Sequence, residues 1–452
     1  MVGSSDRVPA LALLGGGLAT RLHPPTLAAP KSLVEVAGEP FIAHQLRLLA
    51  SQGIGDIVVC AGHLGEQITE CVGDGAFDLA DFYCNRARSG RLAGLDAAER
   101  FYENRLAGRS RRKRRVPPRI EGKGVMIITR TPMRISIGGG GTDLPSYYRQ
   151  FGGFVISAAI NKFVYITINR SFRDGYLLKY SDLEDVKTYD EVRHPLFREA
   201  LRLHAMEGGI EIVSVADVPA GTGLGSSGSF LVGLVHALHA YKRQPVAAET
   251  LACEAIDIEM NRLGEPVGKQ DQYIAAYGGL TCQEYRPDDS VAVTPLRLSD
   301  AAVHELRDSL MMFFVGYTRQ ASALLQDQQQ RSEQGDAQML DGLHFPKELG
   351  YEIKNVLEAG KTYCFGELMH QHWLRKRKRS AGMSDDRIDD LYDLARNRGG
   401  ATGGKLVGAG GSGFLLFHTH DRRRLRSAMT EAGVHEMDFG FDFDGSMVVM
   451  RS

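Results

Sequence analysis

The sequence has neither an excess of charge of one sign nor a long hydrophobic run. Its 54 Lys and Arg residues are balanced by 55 Asp and Glu residues, so its overall charge favours neither nucleic-acid binding nor membrane-surface binding. No run of about 18 apolar residues occurs, which excludes a typical transmembrane helix, and the opening MVGSSDR lacks the apolar stretch of a signal peptide. We therefore expect a cytoplasmic protein with no nucleic-acid or membrane partner.

Cysteine is also scarce, and the cysteines are far apart. No C-x-x-C pair is present, and no His or Cys residues have zinc-finger spacing. This excludes a typical disulfide framework or structural zinc motif, and we expect reduced, buried thiols. The cysteines are Cys60, Cys71, Cys84, Cys253, Cys282 and Cys364.

Glycine, in contrast, is abundant. The 52 glycines cluster in four runs, at residues 15–17, 138–141, 221–228 and 403–413. Such runs occur where the backbone takes up positive φ or closely approaches a ligand. Backbone N–H groups at a strand-to-helix turn bind anions without a net basic protein, so the runs predict phosphate binding.

The chain divides into segments of different character. At 452 residues and 43% apolar composition, it is long enough for about three domains. Residues 1–78 read as a small α/β fragment, with strands at 10–14 and 56–61 and a helix at 41–52. Residues 79–124 contain 13 Lys or Arg against 5 acidic residues, without periodicity. This stretch ends in SRRKRRVPPRIEGKG. It is predicted to be a solvated linker rather than a nucleic-acid site, because no aromatic residues are interleaved with that basic run.

A regular pattern of strands and helices begins at Val125. The sequence predicts strands at 126–129, 153–159, 164–170, 211–218, 311–317 and 414–420, helices at 229–242 and 247–264, and further helices between 323 and 397.

The loop at residues 223–228 reads GLGSSG, which matches the G-x-G-x-x-G pattern. A dinucleotide fold is not favoured, because position 248, where a strand should end in an acidic residue, lies in helical sequence. A Walker loop is excluded, because no Lys follows the glycines. The remaining interpretations are a structural turn and a loop whose N–H groups cradle phosphates while a serine hydroxyl ligates Mg²⁺.

Two carboxylates follow this loop, Glu259 near the end of a helix and Asp271 in GKQDQ. Taken singly, each is more often a capping or surface acid. Together they suit phosphoryl transfer, which needs one carboxylate to hold Mg²⁺ and a second to orient or deprotonate the attacking hydroxyl.

Three segments resemble the three motifs of the GHMP small-molecule kinases, in the same order. They are PMRISIGGGGTDL at 132–144, PAGTGLGSSGS at 219–229 and GGKLVGAGGSGF at 403–414. The resemblance extends from Val125 to the end of the sequence. Within that family, RTPMRISIGGGGTDLPSYY and HWLRKRKRSAGMSDDRIDDLY are most similar to D-glycero-D-manno-heptose 7-phosphate 1-kinases, and L-fucose kinases share the first motif.

This resemblance implies an α+β, two-lobed fold that binds ATP between its lobes. It divides the kinase part into an N-terminal ATP-binding domain, 125–298, and a C-terminal domain, 299–452. Ser227 and Glu259 would hold Mg²⁺. The implied ATP-binding residues are Pro219, Gly221, Gly223, Leu224, Gly225, Ser226, Ser227 and Gly228.

The resemblance also implies how a sugar phosphate would bind. Asp271 would face the hydroxyl to be phosphorylated, and Arg134 would lie beside the transferred phosphate, where a guanidinium can offer two donors. Asp143 would grip substrate hydroxyls. Further substrate positions are Gly140, Gly141, Thr142, Gly410 and Gly411, together with Lys376 and Lys378, which we expect to bind the distal 7-phosphate.

The N-terminal fragment resembles a different family, the sugar-1-phosphate nucleotidylyltransferases, through LLGGGLATRL and PKSLVEVAGEP. The resemblance ends near Gly75, Ala19 replaces the usual glycine, and no counterpart of the later metal-binding aspartate precedes the linker. The fragment is therefore expected to be incomplete. The readings that remain are a heptose 7-phosphate 1-kinase, an L-fucose-type 1-kinase, a bifunctional kinase and nucleotidylyltransferase, and a catalytically silent sugar-phosphate-binding protein.

Overall fold

The chain forms two compact units, residues 1–120 and 121–452. The computed structural model describes residues 126–316, 321–411 and 413–451, together with the backbone of four short strands near the N-terminus. These are β1 (Leu11–Leu14), β2 (Glu35–Val36), β3 (Glu39–Pro40) and β4 (Ile57–Cys60). β1 pairs with β4 in parallel and β2 pairs with β3 in antiparallel fashion. The predicted helix at 41–52 and the basic linker lie outside the described residues.

The second unit alternates strands and helices. Its first part contains β5 (Met126–Gly138), α1 (Pro145–Phe151), β6 (Gly153–Arg170), β7 (Tyr176–Lys179), β8 (Leu183–Val186), α2 (Pro195–Leu203), β9 (Ile210–Ala216), α3 (Ser226–Tyr241), α4 (Ala248–Ile256), α5 (Gln270–Tyr277), β10 (Leu280–Tyr285) and β11 (Val291–Pro295). Its second part contains α6 (Asp300–Ser309), β12 (Leu310–Gly316), α7 (Ala321–Glu333), α8 (Ala337–Glu358), α9 (Phe365–Lys376), α10 (Asp386–Asn397), β13 (Ala401–Leu406), β14 (Gly413–Thr419), α11 (Arg422–Glu431), β15 (Glu436–Met437) and β16 (Met447–Arg451).

The first sheet is built around the long strand β6. One half of β6 pairs with β10 and the other with β9, while β5 runs antiparallel along its length. The prediction of two separate strands at 153–159 and 164–170 is wrong, because the polar residue between them does not break the strand. The backbone N–H of Asn161 donates to the carbonyl of Gly440 at 2.9 Å, and its side-chain oxygen accepts from the Gly440 N–H at 2.7 Å.

Apolar side chains hold this sheet against α3. The first half of β5 alternates between buried and partly exposed residues, whereas its second half is buried at every position. A strand covered on both faces shows this pattern. Helix α3 is itself largely apolar, and its buried residues include Leu231, Leu234 and Leu238. It therefore lies in the core, with its N-terminus at the glycine loop.

The second sheet is antiparallel in the order β13–β14–β12–β15. Its core includes Phe313 and Phe417 from the sheet, Trp373 from α9 and Tyr392 from α10. The strands predicted at 311–317 and 414–420 correspond to β12 and β14. Together the two sheets with their helices confirm the predicted α+β class.

The helix predicted over 247–264 changes geometry partway. α4 ends at Ile256, and a π-helical stretch, Asp257–Arg262, follows it. π-Helical turns are rare and frequently lie at functional sites. This wider turn carries Glu259, which is only 3% exposed.

Two expectations drawn from composition can be compared with the structure. Among the described residues, Cys253, Cys282 and Cys364 are free thiols. Cys282 is buried as expected, but Cys253 is exposed, so the prediction of burial is wrong for it. In the same part of the chain, no helix combines the length and apolar character needed to cross a membrane.

Candidate active site

The three glycine runs of the second unit lie around one cavity of about 880 Å³. Most of the predicted site residues line it. They are Arg134, Gly140, Gly141, Asp143, Pro219, Gly221, Gly223, Gly225, Ser226, Ser227, Glu259, Asp271, Lys376 and Gly410. Thr142, Leu224, Gly228 and Gly411 support the surrounding loops rather than line the cavity, and Lys378 lies outside it.

The turn after β5 positions Asp143. Gly139 and Gly141 have φ angles of 75° and 99°, which glycine adopts without strain. Thr142 fixes the turn, because its hydroxyl donates to the Gly139 carbonyl at 2.9 Å. The carboxylate of Asp143 accepts from the backbone N–H groups of Gly141 and Gln270, each at 3.2 Å. Burial, and secondarily the nearby charge of Asp271, raises the pKa of Asp143.

The glycine run at 221–228 forms the N-terminus of α3. Gly221, Gly223 and Gly225 all have positive φ, and α3 begins at Ser226. Free N–H groups at a helix N-terminus bind phosphate and face it with the positive end of the helix dipole. At Gly228, a Cβ atom would lie 2.7 Å from the Cβ of Asp271. Only glycine therefore allows α3 to pack this closely against α5.

Arg134 and Asp271 form a two-point ion pair at the centre of the cavity. Arg134 Nε donates to Asp271 Oδ1 at 2.7 Å, and Nη2 donates to Oδ2 at 2.9 Å. The third guanidinium nitrogen donates to the Gly223 carbonyl of the phosphate-binding loop. Arg134 thus links the carboxylate to the loop, and the arrangement suits a group that must be held still beside a transferred phosphate.

Ser227 and Glu259 also meet in the cavity. Ser227 Oγ donates to Glu259 Oε1 at 2.7 Å, and Gln272 Nε2 donates to Oε2 at 2.6 Å. Burial raises the pKa of Glu259 to about 7, against the opposing effect of these hydrogen bonds. A hydroxyl and a carboxylate are hard oxygen ligands of the type that Mg²⁺ prefers. The residues present therefore fit a Mg²⁺ ion that binds together with the phosphates of ATP.

The glycine run at 403–413 packs against the run at 221–228. The Cα of Gly223 lies 2.6 Å from where a Cβ on Gly408 would be, so these two loops touch through their backbones. The turn continues to Gly411, whose N–H donates to the Met383 carbonyl at 3.1 Å. This contact explains why Gly411 supports the wall rather than lining it.

Four basic side chains form what we call the cationic cluster: His372, Lys376, Arg379 and Lys405. All four are less than 10% exposed and line the cavity. Within the described part of the chain, Lys376, Arg379 and Lys405 make no ion pair with a carboxylate. Lys376 Nζ donates to the carbonyls of Leu406 and Gly408, at 2.9 and 2.6 Å. Lys405 Nζ donates to the Ile137 carbonyl at 3.0 Å.

Burial and repulsion between the neighbouring positive charges lower the pKa values of the cationic cluster. Burial lowers the pKa of Lys405 to about 7 and that of Arg379 to about 10. It lowers the pKa values of His372 and Lys376 well below their usual range, with the neighbouring cations adding to the effect. Neither ring nitrogen of His372, nor Nε of Arg379, has a hydrogen-bond partner among the described residues. An anionic ligand in the cavity would offset this burial cost and favour the protonated forms of these groups.

The expected role of Lys378 is corrected by its position. Its side chain is exposed, whereas Arg379, the next residue, faces the cavity. His372 and Lys376, spaced i and i+4, share one face of α9. Arg379 lies beyond the end of the helix, in a turn where its N–H donates to the Lys376 carbonyl at 3.0 Å, so helix periodicity does not predict its position.

The apolar end of the cavity was not predicted from the sequence. Tyr180, His194, Leu196, Phe230 and Leu263 line it. The His194 ring meets Tyr180 edge-on, with centroids 4.8 Å apart. An aromatic and aliphatic wall near a phosphate-binding loop suits a nucleotide base. These residues come from separate segments and form no contiguous motif.

The first unit matches a nucleotide-transferring family. Residues 11–108 correspond to the MobA-like NTP transferase domain. This range confirms the resemblance and continues past residue 78, into the segment predicted as a linker.

Comparisons with known proteins identify the second unit. Residues 192–279 match the N-terminal domain of GHMP kinases, and residues 353–435 match the C-terminal domain. A D-glycero-alpha-D-manno-heptose 7-phosphate kinase from Campylobacter jejuni is 28% identical over 342 residues, covering 71% of this chain and 97% of the relative. An L-fucokinase/L-fucose-1-P guanylyltransferase from Bacteroides fragilis is 24% identical over 447 residues, which are 86% of this chain but 46% of that relative.

The fold agrees with these matches. A crystal structure of a D-glycero-D-manno-heptose 1-phosphate kinase from Bacteroides thetaiotaomicron superposes with a TM-score of 0.59 and 25% identity, over 72% of this chain and 99% of that one. In sequence and in fold, the second unit of this chain is similar to the GHMP kinases.

Proposed function

We propose that the protein is an ATP-dependent sugar kinase whose acceptor is the anomeric hydroxyl of D-glycero-D-manno-heptose 7-phosphate. The observation that carries this proposal is the cationic cluster. Its buried basic groups, without a carboxylate partner among the described residues, share one cavity with the phosphate-binding loop and Asp271. A sugar that carries its own phosphate would supply the missing anion, and an unphosphorylated sugar would not.

The transfer itself needs little covalent chemistry from the protein. The N–H groups at the start of α3 bind the phosphates of ATP, and Ser227 with Glu259 hold Mg²⁺, which neutralises phosphate charge. Asp271 orients the anomeric hydroxyl and receives its proton as the O–P bond forms and ADP leaves. Arg134 stabilises the charge on the transferred phosphoryl group while it fixes the plane of Asp271. The product is the 1,7-bisphosphate.

Asp143 and Arg379 position the far part of the sugar in this proposal. The Asp143 carboxylate accepts two backbone hydrogen bonds, and its oxygens keep lone pairs for sugar hydroxyls. A positive charge at Arg379, which interacts electrostatically with Asp143, lies within the same wall. The sugar is thereby held at two points, through its hydroxyls and through its terminal phosphate.

The experiment is a substrate panel assayed with the full chain, Mg²⁺ and ATP. The panel contains D-glycero-D-manno-heptose 7-phosphate, the free heptose, hexose 6-phosphates and L-fucose, and ADP release is followed. We expect the heptose 7-phosphate to have the highest kcat/KM, with the 1,7-bisphosphate identified by phosphorus NMR. Equal turnover of phosphorylated and unphosphorylated sugars would contradict the proposal and favour an L-fucose-type kinase.

A second function is favoured by the first unit, namely transfer of a nucleotide to a sugar 1-phosphate. The support is the match of residues 11–108 to an NTP transferase domain and the length of the alignment with the Bacteroides fragilis relative, whose name includes a guanylyltransferase. The chain spans less than half of that relative. Incubation with each nucleoside triphosphate and a sugar 1-phosphate tests this function, through formation of a nucleotide sugar and release of pyrophosphate.

A further inference from the structure

Three potential metal ligands meet in the second unit, away from the active-site cavity. His204 directly follows α2, His239 lies in the last turn of α3, and Glu254 lies on α4. We call these residues the His–His–Glu cluster. None of the three lines the cavity described above, so the kinase reaction does not account for their convergence.

The ligand atoms are close enough to share one ion. His239 Nε2 lies 2.8 Å from Glu254 Oε2, and His204 Nε2 lies 3.4 Å from the same oxygen. All three atoms lie within 4.8 Å of one another. The two rings are nearly perpendicular, with centroids 4.8 Å apart. Two histidines on different elements therefore point at one carboxylate oxygen.

Ordinary hydrogen bonding does not satisfy this group. The His204 side chain is only 5% exposed, yet its Nε2 makes no hydrogen bond among the described residues. A buried nitrogen without a hydrogen-bond partner is destabilising, and a bound ion or water would remove this cost. Glu254 already accepts from His239, so the unmet requirement lies at His204 Nε2.

The separations of Glu254 Oε2 from the two imidazole nitrogens are near those of a tetrahedral zinc site, and the two nitrogens lie within 4.8 Å of each other. With zinc–ligand distances of about 2.0 to 2.1 Å, the edge between two ligands is about 3.3 Å. The His204–Glu254 separation of 3.4 Å matches this edge. The His239–Glu254 pair must open by about half an ångström, which rotation of the two side chains allows. The side chains of His239 and Glu254 are partly exposed, at 13% and 27%, so solvent reaches the cluster.

The local charge favours a cation. The C-terminal ends of α2 and α3 carry partial negative charge, which adds to the carboxylate. Burial acts to raise the pKa of Glu254, but the neighbouring imidazoles of His204 and His239 lower it overall. Where the structure describes the chain, no Lys or Arg forms an ion pair with Glu254. The nearby Lys242 instead donates to the His204 carbonyl at 2.6 Å.

We propose that the His–His–Glu cluster binds one divalent transition-metal ion, preferentially Zn²⁺. Two imidazole nitrogens and one carboxylate oxygen suit Zn²⁺ better than Mg²⁺ or Ca²⁺, which select all-oxygen sites. The ion ties the C-terminal ends of α2 and α3 to α4. Because α3 begins at the phosphate-binding loop, this site anchors the far end of the helix that carries that loop.

The test uses the full chain after treatment with a chelator. Zn²⁺ is titrated in competition with a chromophoric chelator, for the parent protein and for His204→Ala, His239→Ala and Glu254→Gln. His304→Ala is the matched control, because His304 is exposed on α6 and bonds only the Asp300 carbonyl. We expect each cluster variant to lose one equivalent of Zn²⁺, with an affinity loss of at least about 100-fold, beyond the range typical of outer ligand-shell changes. His304→Ala retains that equivalent.

Two further measurements keep the result independent of folding defects in the variants. Co²⁺ in the parent protein should give the intense visible absorption of a tetrahedral site, and Zn²⁺ should raise the thermal unfolding midpoint of the parent but not of Glu254→Gln, because ligand binding stabilises only the state that holds the site. Unchanged Zn²⁺ stoichiometry and affinity in the cluster variants, or weak octahedral Co²⁺ absorption in the parent, would overturn the proposal. Kinase activity plays no part in these readouts.

Discussion

The guanidinium of Arg134 meets the carboxylate of Asp271 at two points, although the residues are 137 positions apart in the sequence. Arg134 is on β5 and Asp271 is in the first turn of α5, and both face the phosphate-binding loop. The pair fixes the plane of the carboxylate. It also places a permanent positive charge beside the oxygen that would receive a proton.

The first prediction concerns this carboxylate. We expect Asp271→Asn to lower kcat by about 10²- to 10⁴-fold, the usual contribution of a positioned proton acceptor. The amide has nearly the shape of the carboxylate but accepts no proton. ATP affinity should stay unchanged, because the α3 N-terminus is intact. The measurements are steady-state turnover and ATP binding by calorimetry.

Asp300→Asn is the control for that substitution, since Asp300 is an exposed residue at the start of α6. It should behave as the parent protein. Near-normal turnover by Asp271→Asn, with unchanged ATP binding, would remove Asp271 from the reaction.

The second prediction concerns Ser227 and Glu259. Ser227→Ala removes one oxygen, and Glu259→Gln removes the negative charge, so both should raise the Mg²⁺ concentration needed for half-maximal rate by about tenfold or more. Saturating Mg²⁺ should restore part of the rate. A Mg²⁺ titration of the rate at fixed ATP measures this, with Glu249→Gln, at an exposed position in the first turn of α4, as the control. Identical Mg²⁺ curves for all variants would contradict the assignment.

Contiguous motifs made much of the candidate site predictable from sequence. Gly223, Ser227 and Asp271 lie in short segments whose residue types suit phosphate binding, Mg²⁺ binding and phosphoryl transfer. The structure brings them into one cavity. Tyr180 and Phe230 could not be predicted in this way. They belong to separate elements, and only the folded sheet places their rings on one wall.

Predictions from local sequence patterns were wrong where contacts distant in the sequence determine the backbone conformation. Asn161 reads as a break between two strands, but its hydrogen bonds with Gly440 satisfy it within β6. The basic run at 375–379 was predicted to contribute Lys376 and Lys378, and the turn that follows α9 places Arg379 rather than Lys378 at the cavity. In both cases the residue types were informative, and the missing information was which neighbour satisfies each polar group.

The third prediction is a pH dependence of stability that arises from Glu259. Burial raises the pKa of this carboxyl from 4.5 to about 7. As pH rises through this window, the unfolded chain loses the proton before the folded chain does, so the free energy of unfolding falls. The contribution of Glu259 titration to the free energy of unfolding is fully present below pH 4.5 and is lost as pH rises past about 7.

Glu259→Gln lacks this titration, so its stability relative to the parent should increase between pH 4.5 and 8 by about 3 kcal/mol at most. Urea unfolding of both proteins across this range, without Mg²⁺, provides the measurement. A constant difference between them would show that Glu259 is ionised throughout.

The fourth prediction concerns the independence of the two units. The described residues that line the cavity belong to the unit 121–452. We therefore expect deletion of residues 1–120 to leave sugar kinase activity within a few-fold of the full chain. Circular dichroism verifies that the shortened protein is folded. A folded but inactive product would mean that the first unit takes part in the kinase reaction.

The last prediction separates the two neighbouring cations Lys378 and Arg379. Arg379 is 6% exposed and lines the cavity, whereas Lys378 is exposed and lies outside it. If the cationic cluster holds the distal phosphate, Arg379→Gln removes a charge-assisted contact of about 1.5 to 3 kcal/mol. The KM for heptose 7-phosphate should then rise by about tenfold or more, and the KM for ATP should not change.

Lys378→Gln is the matched control, because it removes the same charge one residue away. Its KM values should equal those of the parent protein. Lys376→Ala should resemble Arg379→Gln, since Lys376 Nζ has one donor free beyond its bonds to two carbonyls. The decisive measurement is the ratio of kcat/KM for the phosphorylated and free heptose. This ratio should fall in the Arg379 and Lys376 variants alone, and an equal fall in Lys378→Gln would indicate general electrostatic attraction rather than a phosphate site.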